Sequence, residues 1–497
     1  MLLATLVEGV AARRPDHVAV VAAEGERSLT YAELAAARLR VAAGLAATGL
    51  GPGDRVAVLT PNCVEQVIAY HAAFAAGVIL VPINTRLVAA GIEYVLGHCE
   101  ASALIVHHDL LDRLPAAVPD HRWVIGGPDA TFDELLASDA AAPVGATSPD
   151  DVAAILYTSG TTSKPKGVTH THSSLWHTAA NQAWTQALTG DDIHLVSLSA
   201  AHIAGFGGQV LATAYAGGTL VMLADPTPQT LLAAIIRHRP TFLQMTPAIL
   251  AETLDEAEDA AQFASVRCCI AGGDAVPRGT HEHFHEITGN RVTEVCGMTE
   301  SFSYVMNPPF GGQREGSIGL PAHGTRVRIA REDGTEAEVD EVGELQVKSA
   351  ATMIGYWNDP ERTAEVLRDG WLCSGDMGRR DADGWFHFAS RRTDMIIRGG
   401  SNISPLEIED VLSAHPAVAE AAVVGIPDPV LGQRVAAVVR LHPDASASPE
   451  ELIAFAGATL AEYQTPERIE LAADLPRNAT GKVDRVAVLK ALVGDGA

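Results

Sequence analysis

The sequence predicts an α/β protein: a large N-terminal domain of parallel and mixed sheets with helices plus a small β subdomain, then a small α+β C-terminal domain. Three observations predict this. Short apolar runs alternate with helical patterns through the first hundred residues and again from Asp192 to Cys269, the rhythm of a parallel sheet with helices on both faces. The stretch from Ser317 to Phe388 is glycine-rich, with short alternating strands and little helix. The texture changes again after Thr393, leaving enough chain for a separate small domain. At 497 residues the chain is too long for one core. The expected limits are 1–393 for the N-terminal domain, with its β subdomain at 317–388, and 394–497 for the C-terminal domain.

The elements follow in order. Val18 to Ala22 reads as a strand. Tyr31 to Ala47 is a helix with Tyr31, Leu34, Ala35, Leu39, Ala42 and Leu45 on one stripe, and the glycines from Gly49 to Gly53 end it. Arg55–Leu59 is a strand, Cys63–Ala76 a second helix, and Ile79–Pro82, Ala103–Val106 and Val152–Tyr157 are short apolar strands. Thr325–Ile329 and Gly343–Val347 are strands of the β subdomain. Beyond it, Pro405–His415 is a helix, and Val418–Gly425 and Val435–Leu441 are strands. Ser448, Pro449 and Glu451 supply the cap, first helical position and capping box of another helix.

Lys and Arg number 35 against 61 Asp and Glu, a net charge of −26. That balance argues against a nucleic-acid binder or a membrane-surface binder. The six cysteines form no CxxC pair and no metal-ligand spacing, so free thiols are expected. His281, His283 and His285 alternate without acidic or thiol partners at metal-site spacing and read as surface or core histidines. The opening residues lack a basic n-region, and no apolar run reaches the ~18 residues of a membrane span. A soluble cytoplasmic protein is the expectation.

The stretch Tyr157–Gly167 gathers hydroxyls, glycines and two lysines after the strand at 152–157. Such a loop suits a polyphosphate, because glycine admits backbone N–H groups to phosphate oxygens and lysine adds charge. It is not a Walker loop: Pro165 stands where the second glycine is required, and proline has no N–H to donate. Four more polar segments accompany it. They are Ala271–Ala275 with Glu294–Glu300, Trp371–Asp376, Arg391–Pro405 and Pro476–Arg485.

In this order and spacing the segments resemble the adenylate-forming superfamily of acyl- and aryl-CoA synthetases, peptide-synthetase adenylation domains and luciferases, and most of all an acyl-CoA ligase. The resemblance covers essentially the whole chain. It implies a mobile C-terminal domain and an active site between the domains. It also implies ATP, Mg2+ and coenzyme A, with a small carboxylic acid or its acyl-adenylate as partner. A carboxylate acylates poorly because its leaving group is oxide; adenylation supplies a good one. Charge concentrates on phosphoryl oxygens in the transition state, so cations and donors must already be aimed there.

By resemblance Lys482 is the catalytic lysine, acting on the carboxylate and α-phosphate, and Glu300 holds Mg2+. Thr158, Ser159, Gly160, Thr161, Thr162 and Lys166 line the phosphate loop. Gly272, Gly273, Asp274, Glu294, Val295, Cys296, Gly297, Met298 and Thr299 border the nucleotide. Asp376 accepts from the ribose hydroxyls and Arg391 holds ribose or phosphate. His202 lies near the carboxylate, and Gly205, Phe206, Gly207, Gly272 and Gly273 border an acyl pocket whose glycines imply room for a broad acid. Asp394 is the hinge, and Gly399 and Gly400 flank the pantetheine path.

Two positions depart from the family. Ser163 replaces a loop glycine, and Cys296 replaces an aromatic that stacks on adenine. Three activities therefore stand side by side: a complete acyl-CoA ligase, which Lys482, Glu300 and Asp376 favour; an enzyme of the thioesterification half-reaction only; and an adenylation enzyme loading a carrier protein. The acid has no signature in the chain, and a homodimer is a guess.

Overall fold

The computed structural model describes residues 2–25, 27–139, 148–158, 165–273, 276, 278–314, 316–398, 401–443, 445–478 and 482–493. The chain falls into two compact units. The first is Met1–Arg314, Gly319–Val327 and Val347–Leu372; the second is Glu315–Ile318, Arg328–Gln346 and Cys373–Ala497.

Two sheets build the first unit. In the larger, the strands Val292–Met298, Cys268–Gly272, Phe242–Met245, Ile193–Val196, Thr219–Met222 and Val18–Ala22 run parallel in that order. Antiparallel strands finish both edges: Ser301–Met306 and Leu320–Pro321 at one, Ser28–Thr30 at the other. The second sheet runs Gly355–Tyr356, Lys166–Thr171, Val152–Thr158, Ile79–Pro82, Arg55–Leu59, Ala103–His107, His121–Ile125. Its first two pairings are antiparallel and the rest parallel.

The helix Tyr31–Ala47 starts where Thr30 and Glu33 close a capping box. Tyr31, Leu34, Ala42 and Leu45 are buried as read, but Ala37, Arg38 and Val41 complete the stripe in place of Ala35 and of Leu39, which is 40% exposed. The next helix, Val64–Ala76, takes Cys63 as its N-cap and ends at Gly77, whose φ of 75° suits a residue without Cβ. Nearly every residue of this helix is buried, including Tyr70 and Phe74. It shares one apolar cluster with Leu156 and Leu80 of one sheet and Val20 and Leu220 of the other. A helix apolar all round belongs in such a core.

In the second unit, Ile396–Arg398 lies between Ser401–Ile403 and Gly432–Leu441, and the latter also pairs with Val418–Asp428 and Arg468–Leu471. The helices Pro405–Ser413 and Pro449–Gly457 contribute Ile408, Leu412, Leu452 and Ala456 to its core. The capping box of Ser448 and Glu451 forms as read. The six cysteines are free, and burial pushes the Cys63 and Cys268 thiols up to about 12. No described helix is long and apolar enough to cross a membrane.

Candidate active site

The phosphate segment is a β-hairpin. Val152–Thr158 pairs antiparallel with Lys166–Thr171, so Thr158 stands opposite Lys166 at its mouth. Strand–loop–strand replaces the strand–loop–helix of a Walker site. Ser159, Gly160, Thr161 and Thr162 lie outside the described residues. Gly167 is needed at the root, since a Cβ there would sit 2.8 Å from Ile155 Cγ2 and 3.1 Å from Trp357 Cβ. Burial above all pushes the Tyr157 phenol above its ordinary value, so it stays protonated, 2.7 Å from His98 Nδ1. Tyr94 donates to the Pro165 carbonyl at 3.0 Å.

Glu300 occupies the turn between Val292–Met298 and Ser301–Met306 and is 7% exposed. Three contacts hold that turn. Met353 N–H donates to the Glu300 carbonyl at 2.7 Å, and Tyr356 Oη donates to Glu300 Oε1 at 2.7 Å. His170 Nε2 lies 2.9 Å from the Thr299 carbonyl. A carbonyl can only accept, so Nε2 carries the proton, and burial, which lowers the His170 pKa to about 4, keeps the ring neutral. His170 belongs to the second strand of the phosphate hairpin. The Lys166 ammonium of that same strand stands 5.2 Å from the centroid of the Tyr356 ring. The fold thus brings Lys166 and Glu300 together through Tyr356. One carboxylate among phosphate oxygens is a donor set that fits Mg2+, which takes few protein ligands.

The other expected nucleotide residues line the same strand ends. Gly272 pairs with Val295, and a Cβ on it would meet Val295 Cγ1 at 2.4 Å. Gly273 has φ 89°, and Asp274 lies outside the described residues. Gly297 abuts Ser303, whose N would lie 2.3 Å from a Cβ. Glu294 pairs with His281 Nε2 at 3.2 Å, and His283 with Asp255 at 3.7 Å. Two of the alternating histidines therefore have acidic partners, supplied by distant segments rather than by local spacing. Cys296 Sγ is 3.2 Å from Tyr304 Oη, and Tyr304 is fully buried, so that ring is no substitute stacking face.

His202 precedes a π-helical segment, Ala204–Leu211. Asn84 Nδ2 lies 3.1 Å from His202 Nε2; donation from the amide places the ring proton on Nδ1. The Gln209 side chain ties the π-helix back, accepting from Leu198 N–H at 3.3 Å and donating to the Leu195 carbonyl at 3.0 Å. Glycine content here does not mean space. A Cβ on Gly205 would lie 2.3 Å from the Ser199 carbonyl oxygen, and one on Gly207 2.8 Å from Thr178 Cγ2. Phe206 is fully buried, its ring edge-on to Tyr70 at 5.4 Å, and belongs to the core. The expectation of room drawn from Gly205 and Gly207 is corrected accordingly: Gly205 admits the Ser199 main chain and Gly207 the Thr178 and Ile203 side chains.

In the second unit Asp376 is 1% exposed and pairs across a hairpin with Arg391, whose Nε is 2.8 Å from Oδ1. Asp394 Oδ2 is 3.6 Å from Arg485 Nε, and Arg485 also grips Glu409 through both terminal nitrogens, at 2.5 and 2.9 Å. Lys482 is exposed; its N–H donates to Asn478 Oδ1 at 3.2 Å, and Asn478 N–H returns to its carbonyl at 2.8 Å. Gly399 and Gly400 lie outside the described residues.

The AMP-binding enzyme family matches residues 7–357, and the AMP-binding enzyme C-terminal domain matches 407–482. The chain is an AMP-binding enzyme. It falls within the adenylate-forming superfamily, among acyl-CoA ligases. This AMP-binding enzyme is 35% identical over 496 residues to a sulfoacetate–CoA ligase of Cupriavidus necator, covering 98% of the chain and 97% of the relative. It is 35% identical over 477 residues to a feruloyl-CoA synthase of Amycolatopsis, covering 95% of each. ATP-bound MatB from Rhodopseudomonas palustris superposes with a TM-score of 0.91 at 30% identity, covering 99% of both chains. Tyr356 and Asn84, which contact Glu300 and His202, were not singled out in the sequence. Neither has a distinguishing local pattern, because each meets a partner far along the chain.

Proposed function

We propose that this AMP-binding enzyme activates a small carboxylic acid with ATP to an acyl-adenylate and passes the acyl group to coenzyme A, releasing AMP and pyrophosphate. One observation carries the reading: the buried Glu300 carboxylate is joined through Tyr356 to Lys166 on the phosphate hairpin. Glu300 is the metal ligand in this proposal. Mg2+, when bound, neutralises charge on the phosphate oxygens. Lys166 and the hydroxyl of Thr158 hold the β,γ-phosphates. Asp376, oriented by the hairpin and charge-paired with Arg391, accepts from the ribose hydroxyls. Lys482 is assigned to the acid carboxylate and α-phosphate, and its ammonium lowers the charge at the point of attack. His202, with its Nδ1 proton, is assigned to the carboxylate end of the acyl site.

The domain limit at 393/394 and the hinge at Asp394 remain part of the proposal. Rotation there would exchange Lys482 for the Gly399–Gly400 segment between the two half-reactions, a gating motion. A cytoplasmic location and a homodimer belong with it.

A second reading has one observation in its favour. Cys296 puts a thiol where an adenine-stacking ring is expected, and Tyr304 is too buried to serve. That favours thioesterification of an acyl-adenylate made elsewhere. A screen of acids, headed by sulfoacetate and ferulate, for pyrophosphate release and CoA thioesters by mass spectrometry tests the proposal. Release of pyrophosphate with one acid supports it; thioesters formed only from synthetic acyl-adenylate support the second reading.

A further inference from the structure

Tyr356 sits in a two-residue strand, Gly355–Tyr356, at the edge of the second sheet, paired with Val168 of the phosphate hairpin. Its phenol reaches Glu300 Oε1 at 2.7 Å, and both residues are 7% exposed. Among the described residues this is the one hydrogen bond made by the Glu300 carboxylate, so Oε2 is left for another ligand. The ring of Tyr356 also lies under the Lys166 ammonium, at 5.2 Å. Tyr356 and Lys166 line a cavity of about 230 Å³ with Tyr94, His98, Trp357 and Arg362. One aromatic side chain therefore touches both the metal-binding and the phosphate-binding groups.

We infer that Tyr356 is a positioning residue: it fixes the Glu300 carboxylate so that one oxygen faces the metal, and sets that oxygen's distance from Lys166. The inference rests on the assignment of Glu300 as metal ligand. A carboxylate oxygen only accepts, so the Tyr356 hydroxyl is the donor in this contact. A carboxylate fixed by one hydrogen bond offers a preset ligand atom. Without it, Glu300 must be ordered by the ion itself, and partners of metal ligands commonly change affinity by about 10–100-fold.

The test is Mn2+ titration of the full-length protein with ATP and no acid, read by electron paramagnetic resonance, with AMP binding in the absence of metal measured alongside by calorimetry. Parent, Tyr356→Phe and Glu300→Gln are compared. The expected result is a Mn2+ affinity about 10–100-fold weaker in Tyr356→Phe, with AMP binding unchanged. Weakening in Glu300→Gln but not in Tyr356→Phe overturns the positioning role and leaves the Glu300 assignment standing. If neither variant weakens Mn2+ binding, the Glu300 assignment falls and this inference falls with it. Tyr356→Met serves as the second variant if the phenylalanine form fails to fold, with the same expected shift.

Discussion

Lowering the pH from about 7 to about 5.5 should destabilise the first unit by roughly 5 kcal/mol through four buried histidines. Burial pushes His71 and His194 down to about 3 and His170 and His172 down to about 4, from an ordinary value of 6.5. The sign follows from proton counting. Below 6.5 the unfolded chain binds a proton at each ring and the folded chain does not, so acid favours unfolding until the folded values are reached. Each ring contributes about 1.2 kcal/mol over this window, and the depressed carboxylates such as Asp192 act only at lower pH. At about 2 °C per kcal/mol the melting temperature should fall by roughly 10 °C. Differential scanning calorimetry across this pH range measures it. His172→Phe should remove about 1.2 kcal/mol of the dependence, since neither ring nitrogen of His172 has a hydrogen-bond partner among the described residues. A melting temperature that is flat or rising across the window refutes the argument.

Three predictions concern the site. Asp376→Asn removes the charge that holds Arg391 and, in the proposed role, one ribose acceptor; AMP affinity by calorimetry should fall about 10–100-fold, the cost of a charged hydrogen bond. Cys296→Tyr supplies a stacking ring and should tighten AMP binding by about 5- to 100-fold; no gain would show that adenine does not contact this position. Lys482→Ala should slow adenylation by about 100- to 1,000-fold while leaving thioester formation from synthetic acyl-adenylate intact, read by stopped-flow on each half-reaction.

The parts of this fold that were legible are those with local signals. Thr30 and Glu33 cap the helix Tyr31–Ala47 at its predicted start, and Ser448 with Glu451 does the same further on. Glu300 and Asp376 stood out as carboxylates in polar segments, and both are buried, which apolar packing alone does not call for. Tyr356 was not, because its partner is 56 positions away and a tyrosine after a glycine has no distinguishing local pattern. The π-helix after His202 escaped because a wider turn leaves no separate apolar period in so glycine-rich a stretch. Gly205 and Gly207 were read as space, yet the Ser199 carbonyl and Thr178 already fill it. Glycine marks close approach, and sequence alone does not say what approaches.

The most direct measurement is acid-dependent exchange of labelled pyrophosphate into ATP, catalysed by the full-length protein with Mg2+. Exchange with at least one carboxylic acid, lost in Lys482→Ala, is the predicted result. No exchange with any acid, alongside rapid thioester formation from synthetic acyl-adenylates, would contradict it.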